Sequence, residues 1–391
     1  MARAAHILHV TQPVEGGVAR VVTDLVAAQL ARGLRVTVAC PESGALTDTL
    51  SALDCTVLRW DATRSPGGRL PGEVRRLARI LRDLRPDLVH AHSAKAGLAA
   101  RLAVRGRVPT VFQPHAWSFD AADGVVARLA LGWERFGARW AARVLCVSEA
   151  ERRTGVRCGI TALWRVVPNG VDTHRFRPEG TGARSDGGPP ARAKPRVGEG
   201  PLVVCVGRLC RQKGQDVLLQ AWPEVARRVA GARLVLVGDG PDADRLRSAA
   251  PDSVEFAGVA PDAAPWYRAA DVVVLPSRWE GMALAPLEAM ACARPVVVTD
   301  VDGARESLPP GHPSYCLVPP EDPGALARAL TALLRDERLR AALGAEGRRH
   351  VLAAHGLRHA TDAVTDVYRE LLGVVTTPVV VTTESRKYIT T

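Results

Sequence analysis

"ADVVVLPSRWEGMALAPLEAMACARPVVVTD", residues 270–300, contains a complete structural unit. "DVVVLPS" is a short apolar, β-branched run that reads as a buried strand. "LAPLEAMACAR" is rich in Ala, Leu and Met and continues as a helix. "RPVVVTD" is a second buried strand. Two strands joined through a helix run parallel, because the crossover carries the chain back to its starting edge. Two carboxylates interrupt the apolar texture. Glu280 sits in the strand-to-helix loop beside Gly281, and Glu288 lies one to two turns into the helix. Both face the mouth of a cleft, at two depths, and the N–H groups of Gly281, Met282 and Ala283 point at the same place. Hydroxyls of a sugar and of a ribose suit that spacing. A glycosidase pair suits it less, since those acids oppose each other across the scissile bond. A helix cap plus a surface glutamate is the plain alternative.

The same alternation extends in both directions. "AAHILHV", "RVTVAC", "CTVLRW", "PDLVHAH", "VPTVFQ" and "RVLCVS" read as parallel strands, with helical patterns at 17–32, 71–85, 95–104 and 124–142. "PLVVCVG", "ARLVLVG" and "SVEFAG" precede the opening unit, and helices over 322–335, 337–353 and 358–373 follow it. The pattern predicts an α/β protein of two doubly wound, Rossmann-like domains, over 1–178 and 201–357. Residues 179–200, rich in Gly and Pro, read as a linker, and 374–391 as a disordered tail. Ligands of such sheets bind beyond the carboxyl ends of the strands.

The chain has 391 residues and a net charge of +11. Residues 1–178 hold 26 Lys/Arg against 15 Asp/Glu, and the remainder holds 26 of each, so the whole excess lies in the first half. That asymmetry favours an anionic partner for the first domain. The eight cysteines show no CxxC or zinc-ligand spacing, which fits free thiols in a reducing cytoplasm. No membrane-spanning helix and no signal peptide is expected.

Several loops after strands carry further groups. "VGRLCRQKGQDVLL" (206–219) sets Arg208 and Lys213 around a loop leading into a helix, an arrangement suited to a diphosphate. "QPHAWSF" (113–119) puts His115 just past a strand end. "QPVEGGVARVV" (12–22) puts Gly16 and Gly17 between a strand and a helix, where backbone can approach a ligand. "VGDGPDADRL" (237–246) matches G-x-G-x-x-A only formally. It follows a later strand of its domain, and it reads as a tight turn rather than a dinucleotide site.

Taken in order, the GG loop, "PHAW", "VPNGVD" (167–172), "GRL…KG", "VGDGP" and E-x7-E resemble the retaining GT-B glycosyltransferases of family 4, of the exopolysaccharide and capsule type. The resemblance implies two Rossmann-like domains facing each other across a cleft, with 358–373 as a crossover helix returning to the first. It implies a nucleoside-diphosphate sugar as donor substrate, uridine diphosphate by the habit of the wider family, with no cofactor and no metal. Arg208 and Lys213 look like the cations on the donor diphosphate, and Glu288 like the ribose ligand. Glu280 and the backbone of Gly281, Met282 and Ala283 look like the grip on the sugar. His115 is similar to the histidine beside the sugar's reactive face, within reach of the acceptor. Gly16 and Gly17 resemble the loop near the donor phosphates, and "FAGV", ending at Val259, the edge that meets the base. Retention implies same-face attack, with a phosphate oxygen taking the acceptor's proton.

"VHAHSAKAGLAARLA" (89–103) resembles a segment of polysaccharide-assembly glycosyltransferases. Lys95 opens its helix, and the expectation is that it points into the cleft toward an anionic, lipid-linked acceptor; a solvated lysine is the alternative. Two basic amphipathic helices could rest on anionic lipid, at 71–85 with Arg75, Arg79 and Arg82, and at 124–142 with Leu129, Trp133, Phe136 and Trp140 beside Arg128, Arg135 and Arg139. The plain alternative packs their apolar stripes on the sheet. The expected place of work is the cytoplasm, including the inner face of the membrane. A glycosyltransferase of small secondary metabolites, a sugar-nucleotide 2-epimerase and a non-catalytic sugar-nucleotide binder are the rivals. Nucleic acid is disfavoured, for want of a motif and with only 4% aromatic residues.

Overall fold

The computed structural model describes residues 4–178 and 200–373, so the expected linker (bar Gly200) and tail lie outside the described residues. The β-branched runs pair into two wholly parallel sheets. The first contains β1 (His6–Thr11), β2 (Arg35–Cys40), β3 (Thr56–Arg59), β4 (Leu88–His92), β5 (Thr110–Gln113), β6 (Arg143–Cys146) and β7 (Trp164–Val166), in the order β3-β2-β1-β4-β5-β6-β7. The second contains β8 (Leu202–Val206), β9 (Arg233–Val237), β10 (Val254–Gly258), β11 (Val272–Leu275), β12 (Val296–Thr299) and β13 (Leu317–Val318), in the order β10-β9-β8-β11-β12-β13. In each, the winding direction reverses once, between β1 and β4 and between β8 and β11. Loops leaving the two strands at such a reversal diverge and open a crevice at their carboxyl ends.

Helices cover both faces of each sheet because the strands are apolar on both sides. Helix Leu357–Leu371 crosses back to the first domain, where Val364, Val367 and Tyr368 bury against Ile7, Leu25, Leu88 and Leu145. Ion pairs Arg32–Asp362 and Arg143–Glu370 fasten its rim.

The two basic helices differ in how they use their apolar stripes. In helix Leu70–Leu84, Val74, Leu77, Leu81 and Leu84 pack into the core, leaving the arginines in water, which is the plain alternative. Helix Gly124–Gly137 stops short of 142 and continues as a 3-10 turn, Ala138–Trp140. Val125, Val126, Leu129 and Phe136 remain exposed on it, Leu129 by 69%. Trp133, Phe136 and Trp140 cluster with their rings tilted or edge-on to one another, and Arg139 lies 3.7 Å over the Phe136 ring.

Candidate active site

The loop after β11 carries Glu280, and a 3-10 turn after β8 (Arg211–Lys213) carries Lys213; Lys213 Nζ donates to Glu280 Oε1 at 2.5 Å. Both loops leave strands that flank the reversal, so the sheet brings the two groups together. Gly214 ends the 3-10 turn at φ +64°, and a Cβ there would stand 2.0 Å from the carbonyl oxygen of Pro276. Only glycine lets the two loops approach this closely.

The residues following Glu280 seat against the first domain. Ser148 Oγ donates to the carbonyl of Gly281 at 2.9 Å, and Asn169 Nδ2 to that of Met282 at 2.7 Å. A Cβ on Gly281 would meet Val147, Glu151 and Ala116 at 2.8–3.0 Å. With the carbonyls of 281 and 282 turned toward the first domain, the trans peptides aim the N–H groups of Met282 and Ala283 the opposite way. Neither these two N–H groups nor that of Gly281 binds a backbone carbonyl. Among the described residues, the Met282 and Ala283 donors are thus turned away from the first domain without a backbone partner.

Glu288 is in the second turn of helix Leu284–Ala291 and accepts from the Tyr267 hydroxyl at 2.8 Å. It ends a hollow lined by Arg20, Asp24, Arg175, Phe176 and Leu284, with residues from both domains. Burial raises the Glu288 carboxyl, against the pull of the Tyr267 hydrogen bond and of Arg20 and Arg175. Burial likewise pushes Asp24 up to about 6. Arg20, Asp24 and Arg175 were not anticipated. Arg20 and Asp24 follow the GG loop at helical spacing, which puts both on one face of helix Gly16–Ala31 and is the signal that could have found them.

His115 and Ala116 occupy left-handed backbone, at φ +57° and +105°. Buried Glu151 holds this turn: its carboxylate accepts from the N–H groups of Ala116 and Val147, each at 2.7 Å. The turn lies against Gly281, where a Cβ would stand 3.0 Å from the Ala116 nitrogen, and Nε2 of His115 lies 3.2 Å from Nδ1 of His92. Burial drives the His115 imidazole down to about 3, so the ring is neutral.

Arg208 has no carboxylate partner among the described residues. Arg64 feels it: the Arg64 guanidinium is held below its ordinary range by burial and then by Arg208. Gly16 has φ +74° with open space where a side chain would stand, and a Cβ on Gly17 would stand 3.8 Å from Cδ1 of Leu284 of the other domain. Val259 is at the rim, 72% exposed, just after β10.

Lys95 departs from expectation. It is buried, and its Nζ donates to Glu73 at 2.6 Å and to the carbonyl of Ser65 at 3.1 Å. Glu73 also accepts from the Thr63 N–H at 2.9 Å. Helix Ser93–Val104 packs on helix Leu70–Leu84, and Lys95 points into that seam rather than into the cleft. It holds the 63–65 loop and is not a free acceptor ligand.

Comparison with known proteins agrees with this geometry. Residues 15–175 match the model for Glycosyltransferase Family 4, and residues 200–336 that for Glycosyl transferases group 1. The GDP-mannose-dependent alpha-(1-6)-phosphatidylinositol monomannoside mannosyltransferase of Mycobacterium tuberculosis is 32% identical over 372 residues, which is 90% of this chain and 94% of that protein. The D-inositol 3-phosphate glycosyltransferase of Saccharomonospora viridis is 32% identical over 85% of this chain and 77% of its own length. Anabaena HepE, solved with UDP and glucose, superposes with a TM-score of 0.78 at 22% identity, over 94% of this chain and all of its own. The fold is therefore GT-B. The chain belongs to glycosyltransferase family 4, and it is a glycosyltransferase.

Proposed function

We propose that the protein transfers mannose from GDP-mannose to a hydroxyl of a phosphate-bearing inositol glycolipid, keeping the anomeric configuration. The observation that carries this reading is the near full-length likeness to a GDP-mannose-dependent enzyme acting on a phosphatidylinositol monomannoside. GDP-mannose replaces the uridine nucleotide expected from the wider family.

The cleft suits such a donor. Glu288 and the hollow beside it take the ribose, and the edge at Val259 meets the base. The diphosphate draws Lys213 away from Glu280 and toward itself, beside Arg208, which has no carboxylate partner among the described residues. Glu280 is then free to accept hydrogen bonds from the sugar hydroxyls, with the N–H groups of Gly281, Met282 and Ala283 alongside. The bond from the anomeric carbon to the phosphate oxygen breaks, and its electron pair leaves on the diphosphate. Arg208 and Lys213 stabilise that growing charge. The acceptor oxygen bonds to the anomeric carbon on the same face, and its proton passes to the departing phosphate oxygen. Two fixed cations carry the charge without a metal, and equal rates in EDTA and in magnesium are the expected outcome.

The exposed Val125, Val126, Leu129 and Phe136, beside Arg128, Arg135 and Arg139, favour a lipid-linked acceptor at the cytoplasmic face of a membrane. The likeness to a D-inositol 3-phosphate glycosyltransferase favours a second reading, a soluble inositol phosphate. Incubation with GDP-mannose or UDP-hexoses and with either acceptor class, followed by mass spectrometry and NMR of the product, tests both. Transfer from UDP-hexoses alone, or an inverted linkage, would overturn the proposal, and transfer to the soluble acceptor alone would establish the second reading.

A further inference from the structure

In the register of β1 and β4, His9 stands opposite His90 and Thr11 opposite His92. Side chains alternate along a strand, so His9, His90 and His92 share one sheet face, under helices Gly16–Ala31 and Leu357–Leu371. The opposite face is apolar, with Leu8, Val10, Val89 and Ala91. Three imidazoles wholly out of water need hydrogen-bond partners to be tolerated there.

The partners form a line that ends at the active site. Tyr368 Oη lies 2.5 Å from His90 Nδ1 and 3.5 Å from Gln29 Nε2. Gln29 Oε1 lies 2.9 Å from His9 Nε2, His9 Nδ1 lies 2.9 Å from His92 Nε2, and His92 Nδ1 lies 3.2 Å from His115 Nε2. Burial holds His9 at about 4 and pushes His90 and His92 well below the ordinary range, so each ring is neutral. A neutral imidazole has one N–H and one lone pair, so each link fixes the next. Gln29 Oε1 only accepts, which puts the His9 proton on Nε2 and leaves Nδ1 bare. His92 then donates from Nε2 and accepts at Nδ1, and His115 donates from Nε2.

The geometry points to a positioning chain, Gln29–His9–His92, that locks His115 as the Nε2–H tautomer and so presents a bare Nδ1, a hydrogen-bond acceptor, to a substrate hydroxyl in the cleft. The last clause rests on the proposed function; the tautomer does not. A metal site is the competing use of His9, His90 and His92, whose ligand atoms lie within 4.8 Å of one another. Two of those nitrogens already share a hydrogen bond, and no carboxylate or thiolate joins the group among the described residues, so a dication would be buried without counter-charge.

Nitrogen-15 NMR of the full, ligand-free chain with labelled histidine reads the tautomer directly. The expected result is Nε2 protonated and Nδ1 bare in His115. Gln29→Met removes the anchor and is expected to mix the tautomers, lowering kcat about tenfold with donor KM within about twofold, as for loss of one hydrogen bond to the reacting state. Circular dichroism confirms folding of that variant. A wild-type His115 protonated at Nδ1 would overturn the inference. So would a folded Gln29→Met with tautomer and kcat unchanged, or zinc taken up stoichiometrically with loss of the His9, His90 and His92 signals. Absence of mannosyl transfer with the expected tautomer would defeat the proposed function and leave this chain standing.

Discussion

Lys213 Nζ lies 2.5 Å from Oε1 of Glu280, although the two belong to loops after different strands and face a ligand cleft. In the free protein each neutralises the other in a partly sheltered place. A bound nucleotide sugar offers each a better partner, the diphosphate for the cation and hydroxyls for the carboxylate. The pair is a resting contact that the donor separates.

Removing either partner should therefore act on turnover more than on folding. Lys213→Ala is expected to lower kcat by about 10²–10³-fold, as for loss of one preorganised donor to a developing oxyanion. Glu280→Gln keeps the shape and some hydroxyl bonding, and should cost less. Steady-state kinetics with a saturating acceptor measures both. A Lys213→Ala enzyme with wild-type kcat would remove this residue from the chemistry.

Lys95 makes the opposite prediction. Its pairing with Glu73 is nearly sealed from water, so Lys95→Ala strands a carboxylate and should destabilise the fold by about 3–5 kcal/mol. Lys95→Met with Glu73→Leu should recover most of that. Acceptor KM of the folded fraction should be unchanged. Burial raises the Glu73 carboxyl, but hydrogen bonds from Lys95 and Thr63 outweigh it and leave the group below the ordinary range. A lowered acid stabilises above its unfolded pKa, and this stability is lost as pH falls through the folded value. Glu73→Gln should flatten the acid limb of a urea-midpoint profile.

How legible was all this in the sequence? The strands that carry the site were plain: β8 and β11 are unbroken apolar runs, and β1 and β4 are apolar but for their histidines and Thr11, all at doubly wound reversals. β7 and β13 were missed; "WRV" and "LV" are too short to show any period. Helix Glu149–Arg157 was missed as well, since its residues are mostly polar. Its signal was Ser148 three residues before Glu151, a capping pair, and Ser148 Oγ does accept from the Glu151 N–H at 3.0 Å. The residues after strand ends were singled out from their position. Their partners were not, because Glu73 and Lys95 meet only through the packing of two helices. The imidazoles of "HILHV" and "VHAH" could have been aligned by strand alternation, but their shared face depends on which strands pair.

The exposed apolar ridge on helix Gly124–Gly137 bears on where the enzyme works. Val126 is 64% and Leu129 69% exposed, with arginines close by. Val126→Asp with Leu129→Asp should weaken flotation with anionic vesicles by at least about tenfold, since burying one such side chain is worth roughly 1.5–3 kcal/mol. Binding should fall with salt. Turnover of a detergent-dispersed acceptor should be unchanged. Wild-type protein that fails to float with anionic vesicles would end the membrane reading.

Glu151 joins the site to pH. Burial pushes its carboxyl up to about 7, although the N–H groups of Val147 and Ala116 favour the charged form. For an acid with a raised folded pKa, the folded state holds the proton more tightly than the unfolded one. Its contribution is complete below the unfolded value near 4.5 and is lost as pH rises through about 7. Stability should thus slope downward across that window, and Glu151→Gln should remove the slope. The same residue holds the left-handed turn at His115, so the chemistry should feel it too. An ionised carboxylate accepts from both N–H groups, whereas a glutamine offers one oxygen and must turn its amide nitrogen toward the other. One of the two contacts is then lost, the His115 turn loosens, and kcat should fall by about tenfold while donor KM changes little. Urea midpoints from pH 4 to 8, with kinetics on the same samples, check both halves. A Glu151→Gln variant with an unaltered slope would assign the titration elsewhere, and one with unaltered kcat would detach this carboxyl from the positioning of His115.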